Sequence, residues 1–146
     1  MNEDEMQPFN PYEALGGARA ISALVNRFYD LMDELMEARD IRAMHPADLN
    51  SSREKLFMFL SGFLGGPQLY FQRFGHPRLR QRHLPFSIGK AERDQWMLCM
   101  ELAAEEHIAD EPLRMWLLSR LAHTADFMQN RQEDLPPDQS SKTRNA

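Results

Sequence analysis

Hydrophobic positions recur every three or four residues over most of the chain, a spacing that places them on one face of an α-helix. The pattern is clearest after Gly16-Gly17, where two glycines end a short first helix and a long second helix follows. Tyr29 lies on the hydrophobic face of this second helix, so its hydroxyl is expected to point inward. The same face contains Ile21, Leu24, Val25, Phe28, Leu31, Met32, Leu35 and Met36.

Three more long helices are predicted after a loop around His45-Pro46. The first opens with Ser51 and Glu54, spaced as in a capping box, and ends at Gly65-Gly66-Pro67. The others span about residues 90–108 and 112–130, and Pro112 suits a first helical turn. Glycine and proline interrupt residues 68–89, where short helical turns and loop are expected. No convincing strand appears, so the pattern predicts an all-α fold.

The length and the polar ends indicate one domain. A chain of 146 residues is long enough to bury a ligand-sized pocket but leaves little room for a second domain. Residues 1–11 and 131–146 are polar and contain prolines, so both are expected to be disordered around a domain at 12–130.

Charge and composition exclude several classes of protein. With 22 acidic residues against 17 Lys and Arg, the net charge of −5 disfavours nucleic acid as a partner. The acidic start is unlike a secretory signal, and no apolar run approaches the ~18 residues of a membrane span, so no membrane association and a cytoplasmic location are expected. The single cysteine, Cys99, excludes an internal disulfide and is expected to be a small buried residue.

The segment around His83 combines three kinds of side chain that a haem needs. His83 offers an imidazole for iron, four arginines between positions 73 and 82 offer cations for the two propionates, and Phe86 and its neighbours offer apolar walls. Simpler interpretations remain open, because a lone histidine is more often a hydrogen-bonded core or surface residue and a run of arginines is more often a solvated face. A haem-free helical module that binds an anionic partner through residues 73–82 is therefore kept as an alternative.

Tyr29 and Trp96 are candidate contacts for a small ligand, because each has one hydrogen-bond donor on an apolar body. A buried donor needs a partner, and bound dioxygen is one possibility. The alternative is that each side chain donates to a backbone carbonyl.

Several ordered segments resemble the second group of truncated, two-on-two haemoglobins of bacteria. The resemblance covers nearly the whole predicted core and implies a globin fold of helices stacked two on two. Its segments are Tyr12 to Gly17, Arg27-Phe28-Tyr29, Phe59 to Pro67, Gly75 to Arg80, Arg82 to Phe86 and Arg93 to Met100.

The resemblance implies a role for individual residues. His83 matches the proximal iron ligand, Arg82 the propionate partner, and Tyr29 and Trp96 two polar residues of the distal pocket, where the gas binds. His45 stands where the family often has Phe or Tyr, and this departure offers a side chain that could bind ligand, accept from Tyr29 or bind iron. The remaining haem contacts implied are Ser52, Leu56, Phe59, Leu60 and Phe86.

The function implied is reversible binding of dioxygen or another diatomic gas to the iron of haem b, in a monomer or homodimer. A haem redox enzyme, such as a peroxidase or a nitric oxide dioxygenase, is the main alternative. That activity would require an electron supply or a reductase partner.

Overall fold

The computed structural model describes residues 9–83 and 86–129, without the side chains of Arg80 and Arg82, and this region is helical. The expected disordered ends lie largely outside these residues, and the first helix begins at Pro11. A short 3₁₀ turn, Met36–Ala38, lies between the second and third helices. The helices are α1 Pro11–Leu15, α2 Gly17–Glu34, α3 Arg39–Ala43, α4 Asn50–Phe63, α5 Leu69–Phe74, α6 Leu79–His83, α7 Lys90–His107 and α8 Glu111–Met128.

Glycine separates the first two helices as the sequence predicts. Gly16 has a φ of 110°, in the left-handed region that side chains disfavour, and its backbone N–H bonds to carbonyls at the end of α1. Asn10 begins α1, because its side-chain oxygen accepts from the backbone N–H of Glu13 at 3.1 Å. The chain can therefore reverse sharply from α1 into α2.

The second helix ends two residues before its hydrophobic pattern does. Leu35 has an extended backbone, with φ −85° and ψ 127°, and the chain then enters the 3₁₀ turn. Helical spacing no longer applies beyond this point, so Met36, predicted to face the core, is 72 % exposed. The prediction is confirmed for Tyr29, which is 5 % exposed.

The predicted capping box at the start of α4 is wrong. The helix begins at Asn50, its N-cap residue is Leu49, and the Asp48 carboxylate accepts from the backbone N–H of Asn50 at 2.8 Å. Glu54 instead forms an ion pair with Arg73 of α5, so its carboxylate points along the outside of the helix. The predicted terminator is confirmed, since Gly65 has a φ of 92° and the N–H of Gly66 donates to the carbonyl of Ser61 at 2.8 Å.

The core lies where four long helices meet. Helix α2 packs on both α4 and α7, and α7 packs on α8. Cys99 on α7 is fully buried, as expected, and burial raises the pKa of its thiol to about 11. The largest buried side chains are Phe28, Ile21, Leu24, Met32, Leu60, Leu64, Met100, Leu117 and Leu121.

Short elements connect α4 to α7, as the glycines and prolines of residues 68–89 predict. Helices α5 and α6 have six and five residues, and α6 ends at His83. Helix α7 then begins at Lys90, where the Glu92 carboxylate accepts from the backbone N–H of Gly89 at 2.7 Å. None of the described helices is both long enough and apolar enough to cross a membrane.

Candidate functional site

His83 is the last residue of α6, and a backbone contact fixes the orientation of its ring. Its Nδ1 lies 2.6 Å from the carbonyl oxygen of Leu79, one helical turn earlier. A carbonyl only accepts, so Nδ1 has the proton and Nε2 of the neutral ring has the lone pair. This is the tautomer that a metal ligand needs, with the second nitrogen held by a backbone acceptor.

Phe86 lies close to His83, with 6.5 Å between the ring centroids, and is 44 % exposed. It therefore retains apolar surface that a ligand on this side of the molecule could cover. Arg82, the implied propionate partner, has a side chain that lies outside the described part of the structure.

Tyr29 is buried on α2, and its hydroxyl has no hydrogen-bond partner among the described residues. Burial raises the pKa of this phenol far above its ordinary value, while the positive charge of Arg53 lowers it, so the hydroxyl keeps its proton at neutral pH. No residue in the described region accepts a hydrogen bond from it. In that region no fully buried side-chain oxygen or nitrogen lacks a partner, so the hydroxyl opens onto accessible space.

Trp96 on α7 is partly buried, and its indole N–H likewise has no acceptor among the described residues. Neither Tyr29 nor Trp96 therefore donates to a described backbone carbonyl, which was the simpler interpretation of both side chains. Two donors are available to a molecule from outside the chain.

A chain of aromatic contacts connects these residues. Phe28, which is fully buried, lies edge-on to both Tyr29 and Trp96, with ring centroids 4.8 Å and 4.9 Å away. Tyr29 in turn contacts the ring of His45 at 5.8 Å. The structure thus brings the three predicted distal residues together, and Phe28 fixes the spacing of two of them.

His45 is held as an acceptor rather than a donor. Its Nδ1 lies 2.9 Å from the carbonyl oxygen of Ile41, so Nδ1 has the proton and Nε2 has a lone pair. Burial lowers the pKa of His45; the bond to Ile41 raises it, and the charges of Arg42 and His83 lower it further. The neutral ring can accept from Tyr29 at Nε2 but cannot donate there. The influence of His83 also indicates that both imidazoles border the same region.

Hydrogen bonds from Arg42 hold the loop that contains His45 in place. Its guanidinium donates to the carbonyls of Pro46 and Ala47, both at 2.9 Å, and to that of His45 at 3.5 Å. It also pairs with Asp33 of α2 at 2.9 Å. Moving the loop would break these bonds, so they oppose the binding of iron by His45, one of the roles that the resemblance allows.

Gln95 provides a second fastening, from the helix that contains Trp96. Its side-chain oxygen accepts from the backbone N–H groups of Asp40 and Ile41, at 3.0 Å and 3.1 Å, and its amide donates to the Asp40 carboxylate at 2.9 Å. The carbonyl of the same Ile41 accepts from His45. Gln95 therefore holds the short helix on which the orientation of His45 depends.

The predicted wall residues on α4 differ in exposure. Ser52, Leu56 and Phe59 are partly buried and keep surface that a ligand could contact. Leu60 is fully buried in the helical core, so it supports the wall from behind. An open cavity of about 260 Å³ between α4 and α5 includes Phe59 and Phe71 in its lining.

Sequence reasoning missed the supporting residues Phe28, Arg42 and Gln95 as parts of the site. Phe28 could be recognised from the sequence only as a core residue, because it lies at the helical spacing of the buried face of α2. Arg42 and Gln95 could not be predicted. No local motif indicates that Arg42 bonds to the loop after α3, or that tertiary packing brings Gln95 to α3.

Comparisons with known proteins agree with this arrangement. The model of the bacterial-like globin family matches residues 10–130. Group 2 truncated hemoglobin YjbI of Bacillus subtilis is 39 % identical over 128 residues, covering 87 % of this chain and 94 % of that protein.

Solved structures give the same result. The group II 2-on-2 hemoglobin of Agrobacterium tumefaciens is 45 % identical, with a TM-score of 0.84, over 86 % of this chain and 98 % of that one. A structure described as truncated oxygen-avid haemoglobin from Bacillus subtilis is 38 % identical, with a TM-score of 0.76, over 84 % of this chain and 100 % of that one. These matches confirm the two-on-two stacking, and the chain belongs to the bacterial-like globin family, among the group II truncated haemoglobins.

Proposed function

We propose that this protein binds one haem b through Nε2 of His83 and reversibly binds dioxygen or another diatomic gas beside Tyr29. Membership of the globin family supports a haem, and the oxygen avidity of the relative from Bacillus subtilis supports dioxygen. The observation on which the proposal chiefly rests is the pair of donors, Tyr29 and Trp96, which have no acceptor among the described residues.

The residues present fit a haem. His83 offers the nitrogen ligand with its other nitrogen held by Leu79. Leu56, Phe59 and Phe86 keep apolar surface for the flat faces of a porphyrin. Arg82 is proposed to pair with a propionate, and Ser52 to contact the rim of the group. When bound, haem supplies a ferrous iron that takes up the gas and shifts negative charge onto its outer atom.

Tyr29 and Trp96 then stabilise that charge. Each donor is already oriented by contact with Phe28, so little reorganisation is needed when a gas molecule arrives. Burial keeps Tyr29 protonated, and the low polarity around it strengthens a hydrogen bond to a charged acceptor. His45 has its proton on Nδ1 and none on Nε2, so it is not a donor to the gas.

The test is removal of the proposed ligand with chemical rescue. We expect His83→Gly to lose the Soret band and most of the haem during purification, because the iron loses its protein nitrogen, and added imidazole to restore the band. The measurements are the absorption spectrum and the haem-to-protein ratio. His76→Gly is the matched control, because it removes an exposed histidine from the same segment.

Two outcomes would contradict the proposal. Haem retention and a ferrous spectrum unchanged in His83→Gly would show that another residue binds the iron. Wild-type protein without a Soret band after addition of haem would instead favour the haem-free module that binds an anionic partner.

A further inference from the structure

Arg53 on α4 forms hydrogen bonds to α2 on either side of Tyr29. One nitrogen, Nη1, donates to the backbone carbonyl of Asn26 at 2.9 Å and to its side-chain oxygen at 3.2 Å. The other, Nη2, donates to the Asp30 carboxylate at 2.8 Å. Asn26 precedes Tyr29 by three residues, and Asp30 follows it by one. The guanidinium is therefore hydrogen-bonded at both ends of the helical turn that contains Tyr29.

The same guanidinium also contacts the Tyr29 ring. Its central carbon lies 5.9 Å from the ring centroid, within the range of a cation–π contact. Only 24 % of the Arg53 side chain is exposed, so water screens this charge less than it would a surface ion. Arg53 therefore acts on Tyr29 in two ways, by fixing its helical turn and by placing a positive charge at its ring.

No other side chain in the described region forms a hydrogen bond between α2 and α4. Helices α2 and α4 also pack on each other, and packed helices can slide by small amounts. Ser52 precedes Arg53 directly and Leu56 follows it by three residues. The guanidinium thus also fixes the turn of α4 that presents these two side chains to the pocket.

We propose that Arg53 is a positioning residue that sets the place and donor strength of the Tyr29 hydroxyl, and thereby slows release of the bound gas. The inference rests on the proposed role of Tyr29 as a donor. Loss of the guanidinium would let the first turns of α4 shift against α2 and would remove a charge that favours partial negative charge on the phenol oxygen. Both changes weaken the hydrogen bond that Tyr29 donates.

The first experiment measures dioxygen release from the purified holoprotein by stopped flow. We expect Arg53→Gln to speed release by about threefold to tenfold, the range that weakening of one hydrogen bond covers. Arg53→Lys, which keeps the charge but not the two-sided grip, should lie between Arg53→Gln and the wild type.

The matched control is Arg27→Gln. Arg27 joins α2 to α7 by a two-oxygen contact with Glu106, at 3.0 Å and 3.1 Å, and its side chain is 31 % exposed. This variant also removes a partly buried arginine that links two helices through a carboxylate, but away from the Tyr29 ring. Equal acceleration in Arg27→Gln would show that general loosening of α2, rather than Arg53, controls release.

A double-mutant cycle with Tyr29→Phe tests whether Arg53 acts through the phenol. We expect Arg53→Gln to have almost no effect on release in the Tyr29→Phe background, because the hydroxyl on which it acts is gone. The same acceleration in both backgrounds would overturn the inference while leaving the proposed function intact.

A spectroscopic readout separates failure of the inference from failure of the proposed function. The chain has three tyrosines, so tyrosine labelled with ¹³C at Cζ gives three NMR signals, and Tyr29→Phe identifies one. In the diamagnetic carbonyl complex, we expect that signal to shift in Arg53→Gln and to stay in place in Arg27→Gln. A signal that does not move overturns the inference, even if Tyr29→Phe itself fails to change release.

Discussion

At the scale of single residues, the chemistry of the site depends on which side chains have a proton to donate. His83 and His45 each donate from Nδ1 to the backbone carbonyl one helical turn earlier. In each neutral ring this contact leaves the lone pair on Nε2, which can accept a hydrogen bond or bind a metal but cannot donate. The proposed distal set therefore has two donors, Tyr29 and Trp96, and one acceptor, His45.

Removing either donor should speed gas release. We expect Tyr29→Phe and Trp96→Phe each to raise the dioxygen release rate by about tenfold or more, because a hydrogen bond to a charged acceptor contributes roughly 1.5–3 kcal/mol. Stopped-flow displacement of dioxygen measures this rate. Release unchanged beyond error in both variants would show that the two side chains only support the packing around Phe28.

The buried imidazole should make stability depend on pH. Because the folded pKa of His45 is below its ordinary 6.5, the unfolded chain binds more protons between these two values. Stability contributed by His45 is thus fully present above about pH 6.5 and is lost as pH falls toward the folded pKa. Thermal unfolding between pH 7.5 and 5 should show a shallower loss of Tm in His45→Gln.

The control for this titration is His123→Gln, which removes an exposed histidine from α8. It should follow the wild-type curve. If His45→Gln also follows the wild-type curve, His45 is not buried as a neutral ring in the folded protein.

At the scale of helices, α1 packs closely on the end of α4 because Gly66 has no side chain. The backbone N–H of Tyr12 donates to the carbonyl of Leu64 at 2.9 Å, which seats α1 on the end of α4. A Cβ added at Gly66 would overlap the Tyr12 ring. Glycine is therefore required here for close approach of the ring, in addition to the left-handed turn at Gly65.

We expect Gly66→Ala to destabilise the protein by about 1–3 kcal/mol, the usual cost of forcing an extra group into a packed joint. Chemical denaturation of the holoprotein measures this loss. Gly62→Ala is the control, since its new Cβ would meet only the flexible end of Gln68. Combining Gly66→Ala with Tyr12→Ala should cost less than the sum of the single changes, and strict additivity would exclude the overlap as the cause.

The elements that could be predicted from sequence are those determined by local patterns. The period of α2, the glycines at 16 and 65, and Pro112 in the first turn of α8 act over a few residues, and the structure confirms them. The extended backbone at Leu35 and the start of α4 at Asn50 have no local signal of this kind, so the sequence pattern predicted the wrong end and the wrong cap.

The same distinction applies to the site. His83, Tyr29 and Trp96 could be chosen because each is an unusual residue on a helical face or in a short constrained segment. Arg53 could not, because an arginine on α4 looks like any solvated charge until α2 is known to place Asn26 and Asp30 opposite it. Which role each chosen residue has in gas binding stays a prediction until the variants are measured.

At the scale of the whole molecule, four long helices seal a core in which α7 is the common element. It packs on α2 and α8 and also holds α3 through Gln95. A disturbance of α7 would therefore reach the distal residues and the core together. This helix also contains the only cysteine of the chain, at a position with no exposed surface.

The reactivity of the Cys99 thiol therefore measures how often the folded protein opens. Alkylating reagents and peroxide attack the thiolate, and both the burial of Cys99 and its pKa of about 11 suppress that form in the folded chain. We expect iodoacetamide to label the native protein far more slowly than the denatured protein, and Gly66→Ala to speed native labelling about tenfold for each 1.4 kcal/mol of lost stability. Labelling as fast as that of free cysteine would instead reveal local fluctuation of α7. Burial would also protect this thiol from oxidants for as long as the core stays closed.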